Sequence, residues 1–251
     1  MESNNSLKSI ASKGMIWSAL DKFSAQGGQS IIGIILARLL VPADYGLIGM
    51  LAIFIAISQT FVDSGMGSAL IQYQNRTKAD YSTVFIFNIV ISSLFYVLLY
   101  FGAPYIADFY NTPTLIPITR VIGLNLIINS LALVQRTRLT IDLNFKLLAK
   151  VNVISAVTSG IVAIYFSYVG YGVWALVIRQ IISAVVSVLL LWYFSKWKPS
   201  LLFSKESFKN LFGFGSKLLA AGIYATAFQN IYNVIIGKVY SADSLGFYTQ
   251  A

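Results

Sequence analysis

The apolar residues of this chain are gathered into runs too long to be the core of a soluble globule. Seven stand out, at residues 14–37, 45–71, 81–101, 115–133, 147–169, 173–194 and 212–237. About 18 consecutive apolar residues let a helix cross a bilayer, so each run is predicted to be a transmembrane helix. In lipid the backbone must satisfy its own hydrogen bonds, and a helix does so within one segment. Breaker residues separate the runs: Pro42, Asn75-Arg76, the 104–117 stretch, Asn144, Gly170-Tyr171-Gly172 and Pro199. Only 11% of the residues are charged, against about 25% in soluble domains. The fold class that follows is an all-α integral membrane protein.

A net charge of +9 can signal a nucleic-acid partner. Here the basic residues sit in short connections, so they read as topology and no nucleic acid is expected. Lys and Arg gather on the cytoplasmic side of membrane proteins. With the N-terminus cytoplasmic, the inner segments hold Lys8, Lys13, Arg76, Lys78, Arg136, Arg138, Lys146, Lys150, Lys196, Lys198, Lys205 and Lys209. The outer connections hold Arg38 and Lys238, and the 102–114 connection has neither Lys nor Arg. The polar opening, residues 1–13, lacks the pattern of a removable signal peptide, so the first span is expected to stay in place. Residues 135–150 are basic and loosely amphipathic, and read either as an interfacial helix on the headgroups or as a solvated loop.

The chain has no Cys and no His, which removes disulfides and zinc sites built on those residues. No nucleophile–base pair, phosphate loop or metal cluster is present in the sequence, and the few acids are scattered. No catalytic residue, cofactor or metal is expected, and the chain does not read as an enzyme. With no nucleotide site, energy would come from an ion gradient, the membrane potential or the substrate gradient.

A weak internal repeat organises the spans. Residues 36–50, LARLLVPADYGLIGM, have a counterpart at 236–248, IGKVYSADSLGFY. Aligning Gly46 with Gly246 places Arg38 on Lys238 and Gln29 on Gln229. An even number of spans separates the copies, so both enter the membrane in the same direction. That describes parallel repeats about an axis along the membrane normal, an arrangement found in secondary transporters. The domain reading is a cytoplasmic N-terminus (1–13), a first six-span lobe (14–194), a cytoplasmic linker (195–211) and the start of a second lobe (212–251).

Three stretches carry a resemblance: LARLLVPADYGLIGMLAIFIAISQTFVDSGMGSALIQ, ADFYNTPTLIPITRVIGLNLIINSLALVQR and GYGVWALVIRQIISAVVSVLLLWYFSKWKPSL. They resemble the bacterial polysaccharide exporters: the O-antigen, exopolysaccharide and teichuronic-acid flippases of the multidrug/oligosaccharidyl-lipid/polysaccharide superfamily. The resemblance implies a MATE-like architecture of two six-helix lobes. It implies a multi-pass protein of the bacterial cytoplasmic (inner) membrane that flips a polyprenyl-pyrophosphate-linked oligosaccharide by alternating access, with H⁺ or Na⁺ as a coupling ion. The chain carries the first lobe and one helix of the second. It is therefore expected to be a fragment, unless two copies pair or another chain supplies the missing lobe. A drug exporter of the same superfamily and a non-transporting membrane subunit stand as alternatives.

Ionisable groups inside spans are costly and face a cavity or a partner. Asp21 and Lys22 lie about 10 Å from the inner start of the first span, and Asp63 is as deep in the second. These three read as an ion-coupling site or gate; an ion pair between Lys22 and Asp63 is the structural alternative. Arg120 and Arg179 lie about 8–9 Å from the outer starts of their spans. Guanidinium groups bind phosphate in bidentate fashion, which makes both candidates for substrate binding, with Arg179 lining the path; snorkelling to the outer headgroups is the other reading. Asn125 and Asn129 share a helix face and are candidates for meeting sugar hydroxyls or for bonding between helices. Gly27, Gly28 and Gly33 read as close helix packing.

Overall fold

The computed structural model describes residues 32–195, 197–200 and 202–250. Within them lie α1 (residues 32–39), α2 (Pro42–Asp63), α3 (Met66–Gln72), α4 (Lys78–Tyr110), α5 (Leu115–Ile141), α6 (Phe145–Tyr168), α7 (Val173–Ser195), α8 (Lys205–Val239) and α9 (Ala242–Gln250). No strand occurs among the described residues. Among the described residues six segments are long and apolar enough to cross a membrane: α2 with α3, and α4 to α8. The 14–37 run lies mostly outside the described residues, as do Asp21, Lys22, Gly27 and Gly28.

The elements start and stop where the local chemistry dictates. Pro42 occupies the first turn of α2, where its missing N–H costs nothing. Asp44 accepts from the Val41 backbone N–H at 3.3 Å. At the other end of α2, Ser64 (φ 43°) and Gly65 (φ 66°) both enter the left-handed region. This breaks the 45–71 run into two helices, because a continuous helix needs negative φ at each residue. Thr77 and Asp80 form a reciprocal cap on α4, and the Asn144 side chain caps α6 through Leu147. The α6–α7 turn uses Gly170 (φ 89°) and Gly172 (φ 53°).

Three boundaries differ from expectation, each for a visible reason. The loop expected at 102–114 is mostly helix, since α4 runs through Pro104 to Tyr110. A proline inside a helix deprives the carbonyl four residues back of its donor. Here that carbonyl is Tyr100's, and Arg120 Nε from α5 donates to it at 3.4 Å, with the guanidinium 4.4 Å above the Tyr100 ring. Residues 135–150 are neither an interfacial helix nor a solvated loop. They are the last turns of α5, a turn at 142–144, and the start of α6. Val134, Gln135, Thr137 and Leu139 are buried, so tertiary packing carries α5 past the predicted end. Likewise α8 starts at Lys205, inside the expected linker, because Ser204 caps it by accepting from the Ser207 N–H.

Polarity is inverted along the helices, as a lipid environment demands. On α4 the exposed stripe is Val90, Leu94, Val97, Leu98, Phe101 and Tyr105, while Asn88 and Ser92 are buried. Ser92 Oγ donates to Ser130 Oγ of α5 at 3.0 Å. α4 lies along α5, α5 along α7 and α7 along α6, while α2 packs against α8 and α9. The 197–204 connection is tied to the start of α4. The Ser200 and Ser82 hydroxyls are 2.7 Å apart, the Ser204 N–H donates to Thr83 Oγ1 at 3.0 Å, and Trp197 meets the Tyr81 and Phe85 rings.

The repeat has a structural counterpart at the Pro42 end of the bundle. A Cβ on Gly46 would overlap the Ala242 carbonyl, and a Cβ on Gly246 would overlap the Pro42 carbonyl. Gly46 aligns with Gly246 and Pro42 with Ala242, so the two contacts are one contact seen from both copies. At the opposite end, a Cβ on Gly65 would lie 2.5 Å from the Gly215 carbonyl oxygen. Among the described residues, close approach of backbone to backbone thus falls to Gly46, Gly246, Gly65 and Gly215, while Gly160 makes room for the Ile32 side chain. A Cβ on Gly33 would meet nothing within 4 Å.

Two outcomes are expected. The sequence contains no cysteine, so a pair placed at Gly49 and Thr249, which face each other across α2 and α9, is a clean probe. Oxidative cross-linking of that pair in membranes is expected to be efficient and to fall at least fivefold on adding Gly46→Leu or Gly246→Leu; unchanged cross-linking would show that the crossing tolerates a side chain. Separately, Arg120→Met is expected to cost about 1 kcal/mol of stability, read by thermal melting in detergent. The loss should shrink by at least half in a Pro104→Ala background, where residue 104 supplies its own N–H to Tyr100. Equal losses in both backgrounds would refute the link.

Candidate functional site

Four helices border a common space, α5, α6 and α7 with polar faces and α2 with a mostly apolar one. On α5, Ile122, Asn125, Asn129 and Arg136 fall on one face, since residues three, four and seven apart align. On α7, Arg179, Ser183 and Ser187 repeat every four residues beside Gln180 and Ala184. Asn152, Ser155 and Ala156 come from α6, and Ile48, Leu51, Ala52, Ile55, Ala56 and Gln59 from α2. Together they line a cavity of about 810 Å³, within the range of ligand sites. Among the described residues its wall carries two ionisable side chains, Arg136 and Arg179, and no carboxylate.

The cavity has a direction. Arg179 lies in the second turn of α7, toward the Pro42 end of the bundle. Arg136 lies near the far end of α5, and its guanidinium donates to Ser187 Oγ at 3.3 Å. Ser187 is two turns beyond Arg179, so the cationic positions are about 12 Å apart along α7. Arg136 also borders a second cavity of about 270 Å³, lined by Asp63, Gly65, Gly67, Ser68, Ile71, Leu133, Thr137 and Thr140. There Asp63 Oδ1 accepts from Gln59 Nε2 at 3.0 Å, and Gln59 reaches the larger cavity. The two spaces therefore meet at Gln59, Asp63 and Arg136.

Of the residues singled out from the sequence, Arg179, Asn125 and Asn129 come together on the larger cavity, and Asp63 sits at its far end. Arg120 is elsewhere, on the Tyr100 carbonyl and ring of α4. Asp21 and Lys22 lie outside the described residues, so the Lys22–Asp63 pairing does too. Sequence reasoning missed Arg136, which was grouped with the loop charges because α5 was ended too early. It also missed the serines, whose spacing was legible: Ser183 and Ser187 follow Arg179 at four-residue steps.

Comparison with known proteins places this geometry. A family model described as "Polysaccharide biosynthesis protein" matches residues 35–251. The chain is 31% identical over 202 residues to the teichuronic acid biosynthesis protein TuaB of Bacillus subtilis (strain 168), covering 77% of this chain and 41% of that protein. It is 23% identical over 235 residues to the succinoglycan biosynthesis transport protein ExoT of Rhizobium meliloti (strain 1021), covering 94% and 48%. With the lipopolysaccharide biosynthesis protein WzxC of Escherichia coli (strain K12) it shares 23% over 255 residues, covering 98% and 50%. The chain thus spans about half the length of the curated relatives it matches. In fold it is similar to a solved multidrug resistance MATE family transporter of the MOP superfamily in an inward-facing conformation. The TM-score is 0.62 at 16% identity, over 90% of this chain and 56% of that one. An all-α membrane fold with this topology and a family match over nearly all of the described residues lead to one conclusion: the chain belongs to the polysaccharide biosynthesis protein family.

Proposed function

We propose that this chain is the first lobe of an exporter that flips lipid-linked polysaccharide precursors across the bacterial cytoplasmic membrane by alternating access. The observation that carries this reading is the cavity on whose wall the ionisable side chains, among the described residues, are Arg136 and Arg179, with Asp63 at its far end beside Arg136. A polyprenyl-pyrophosphate oligosaccharide brings an anionic headgroup and many hydroxyls, and the wall offers guanidinium groups for the first and Asn, Gln and Ser for the second. An organic-cation exporter fits less well, since both arginines would repel its cargo. The relatives' printed names, which include polysaccharide biosynthesis and transport, point the same way.

Within this reading Arg179, Asn125 and Asn129 meet the substrate, Arg136 joins them, and Arg120 is structural. The end bearing Arg76, Lys78, Arg138, Lys146 and Lys150 faces the cytoplasm, by the distribution of Lys and Arg, and the N-terminus lies on that side. Asp63, beside Arg136, is placed to gate the cytoplasmic end, with H⁺ or Na⁺ as the coupling ion. A second lobe, encoded further on or supplied by another chain, completes the path.

The test is complementation of a bacterium lacking its polysaccharide flippase, scored by surface polysaccharide. The chain extended by its downstream genomic sequence is expected to restore export. In that form Arg179→Ala and Arg179→Glu should cut export at least tenfold at equal membrane abundance, and Arg179→Lys should keep part of it. Full export by Arg179→Glu, or no export by the extended unmodified protein, would overturn the reading.

A further inference from the structure

Arg136 and Arg138 lie two residues apart on α5 and leave it in opposite directions. Two residues turn a helix by about 200°, so Arg138 faces away from the cavity that Arg136 borders. Its side of α5 is covered by aromatic rings. Trp192 Nε1 donates to the Leu131 carbonyl at 2.9 Å. The Phe85 ring lies 6.0 Å from that of Trp192 and 5.7 Å from that of Trp197, and Tyr81 lies 6.5 Å from Trp197. The Arg138 guanidinium sits 5.7 Å from the centre of the Tyr81 ring, over its face.

Positive charge collects here without a carboxylate to meet it among the described residues. Lys78 lies three residues before Tyr81, on the same face of α4, and Lys198 follows Trp197; both lysines are exposed. Asp80 is 5% exposed and is taken up by Thr77, whose N–H and Oγ1 donate to it at 2.7 and 2.8 Å. Asp142 lies one turn beyond Arg138, yet Arg138 meets the Tyr81 ring instead. A guanidinium laid on a ring keeps its edge of N–H donors for an oxyanion. The level is that of lipid headgroups. The 27 residues of α5 span about 40 Å, against about 30 Å of hydrocarbon, and Arg138 is about 5 Å from the helix end. Tyr81 and Trp197 flank the start of α4 and the end of α7, and Tyr and Trp favour this level.

We infer that Lys78, Arg138 and Lys198 form a site for the headgroup of an anionic phospholipid, with its phosphate on the Arg138 guanidinium. That contact is bidentate and charge-assisted, and the two lysines add attraction at the membrane surface. A lipid is favoured over a soluble anion because the patch lies where headgroups are already concentrated. The site is on the opposite side of α5 from the cavity, so it stands whatever the cavity carries.

The chain has tryptophans at 17, 174, 192 and 197, so Trp17→Phe with Trp174→Phe leaves the two at the patch as fluorophores. That protein is placed in phosphatidylcholine vesicles in which one lipid in five is brominated, as phosphatidylglycerol or as phosphatidylcholine. Quenching is expected to report an association constant at least fivefold higher for the phosphatidylglycerol. Arg138→Gln should reduce this preference to below twofold, and Lys78→Gln or Lys198→Gln should each halve it. Arg138→Lys keeps the charge and guards against a folding defect; it should retain more of the preference than Arg138→Gln, with unchanged circular dichroism. Lys146→Gln with Lys150→Gln removes charge from the same end of the bundle, on α6, and should leave the preference unchanged. Glycerol 3-phosphate at millimolar concentration, a headgroup without chains, should not relieve the quenching. Equal quenching by the two lipids, or an equal loss in the α6 variant, would mean attraction by the surface at large and would overturn the site. Relief by glycerol 3-phosphate would mean a site for soluble anions and would overturn the lipid.

Discussion

The structure depends on how closely two helices approach where neither has a side chain. Lipid tails are as apolar as leucine, so helices in a bilayer gain nothing from hiding apolar surface from each other; packing must hold them. At Gly46 and Gly246 each backbone reaches the other's carbonyl, and a single methyl on either would overlap it. Such an approach also brings Cα hydrogens to carbonyl oxygens, a weak but recurrent attraction. Around this crossing gathers the largest buried cluster, with Met50, Tyr110, Leu115, Val173, Val177 and Leu245 contributed by α2, α4, α5, α7 and α9. Lys238 donates to the Phe109 carbonyl from the same region and so satisfies the end of α4.

Closing the Pro42 end so tightly has a consequence for the space between α2 and α7. These helices converge near the Pro42 end, where Val173 and Val177 join the apolar cluster. The cavity opens beyond the cluster, among Arg179, Ser183, Ser187, Asn129 and Arg136. Charge inside a bilayer is tolerated where it faces water or a partner, and the two arginines on the wall have both space and polar neighbours. Inverted polarity and the cavity are thus two results of one rule: apolar side chains face lipid, and polar ones collect where helices part.

The helices themselves were legible because their runs exceed the length a bilayer requires, and no packing argument is needed to find them. Their ends were less so. Pro104 reads as a breaker, yet α4 continues because Arg120, distant in sequence, supplies the hydrogen bond that the proline removes. The end of α5 was hidden for a similar reason: Gln135 and Thr137 look like loop residues until their burial against neighbouring helices is known. The pairing of Gly46 with Gly246 was visible as a repeat, but that the copies touch each other through the matched positions was not. Repeats report ancestry of sequence, and contact depends on how the copies are arranged in space.

Arg120 and Arg179 show where reading a membrane site from sequence stops. Both are arginines, at nearly the same depth, in helices that start at the same end of the bundle. Depth sets the cost of a charge and makes both look functional. The helix face decides what is done about that cost. Arg120 points to α4, where a proline has freed a carbonyl and an aromatic ring stands ready. Arg179 shares its face with Ser183 and Ser187 and so opens on the cavity. The second residue could have been separated from the first by asking what lies four and eight positions on. After Arg179 the answer is serine twice; after Arg120 it is Leu124 and Ile128, an apolar stripe that offers a charge no polar company along its own helix. A polar stripe, more than an isolated charge, is therefore the signal that a membrane helix borders water.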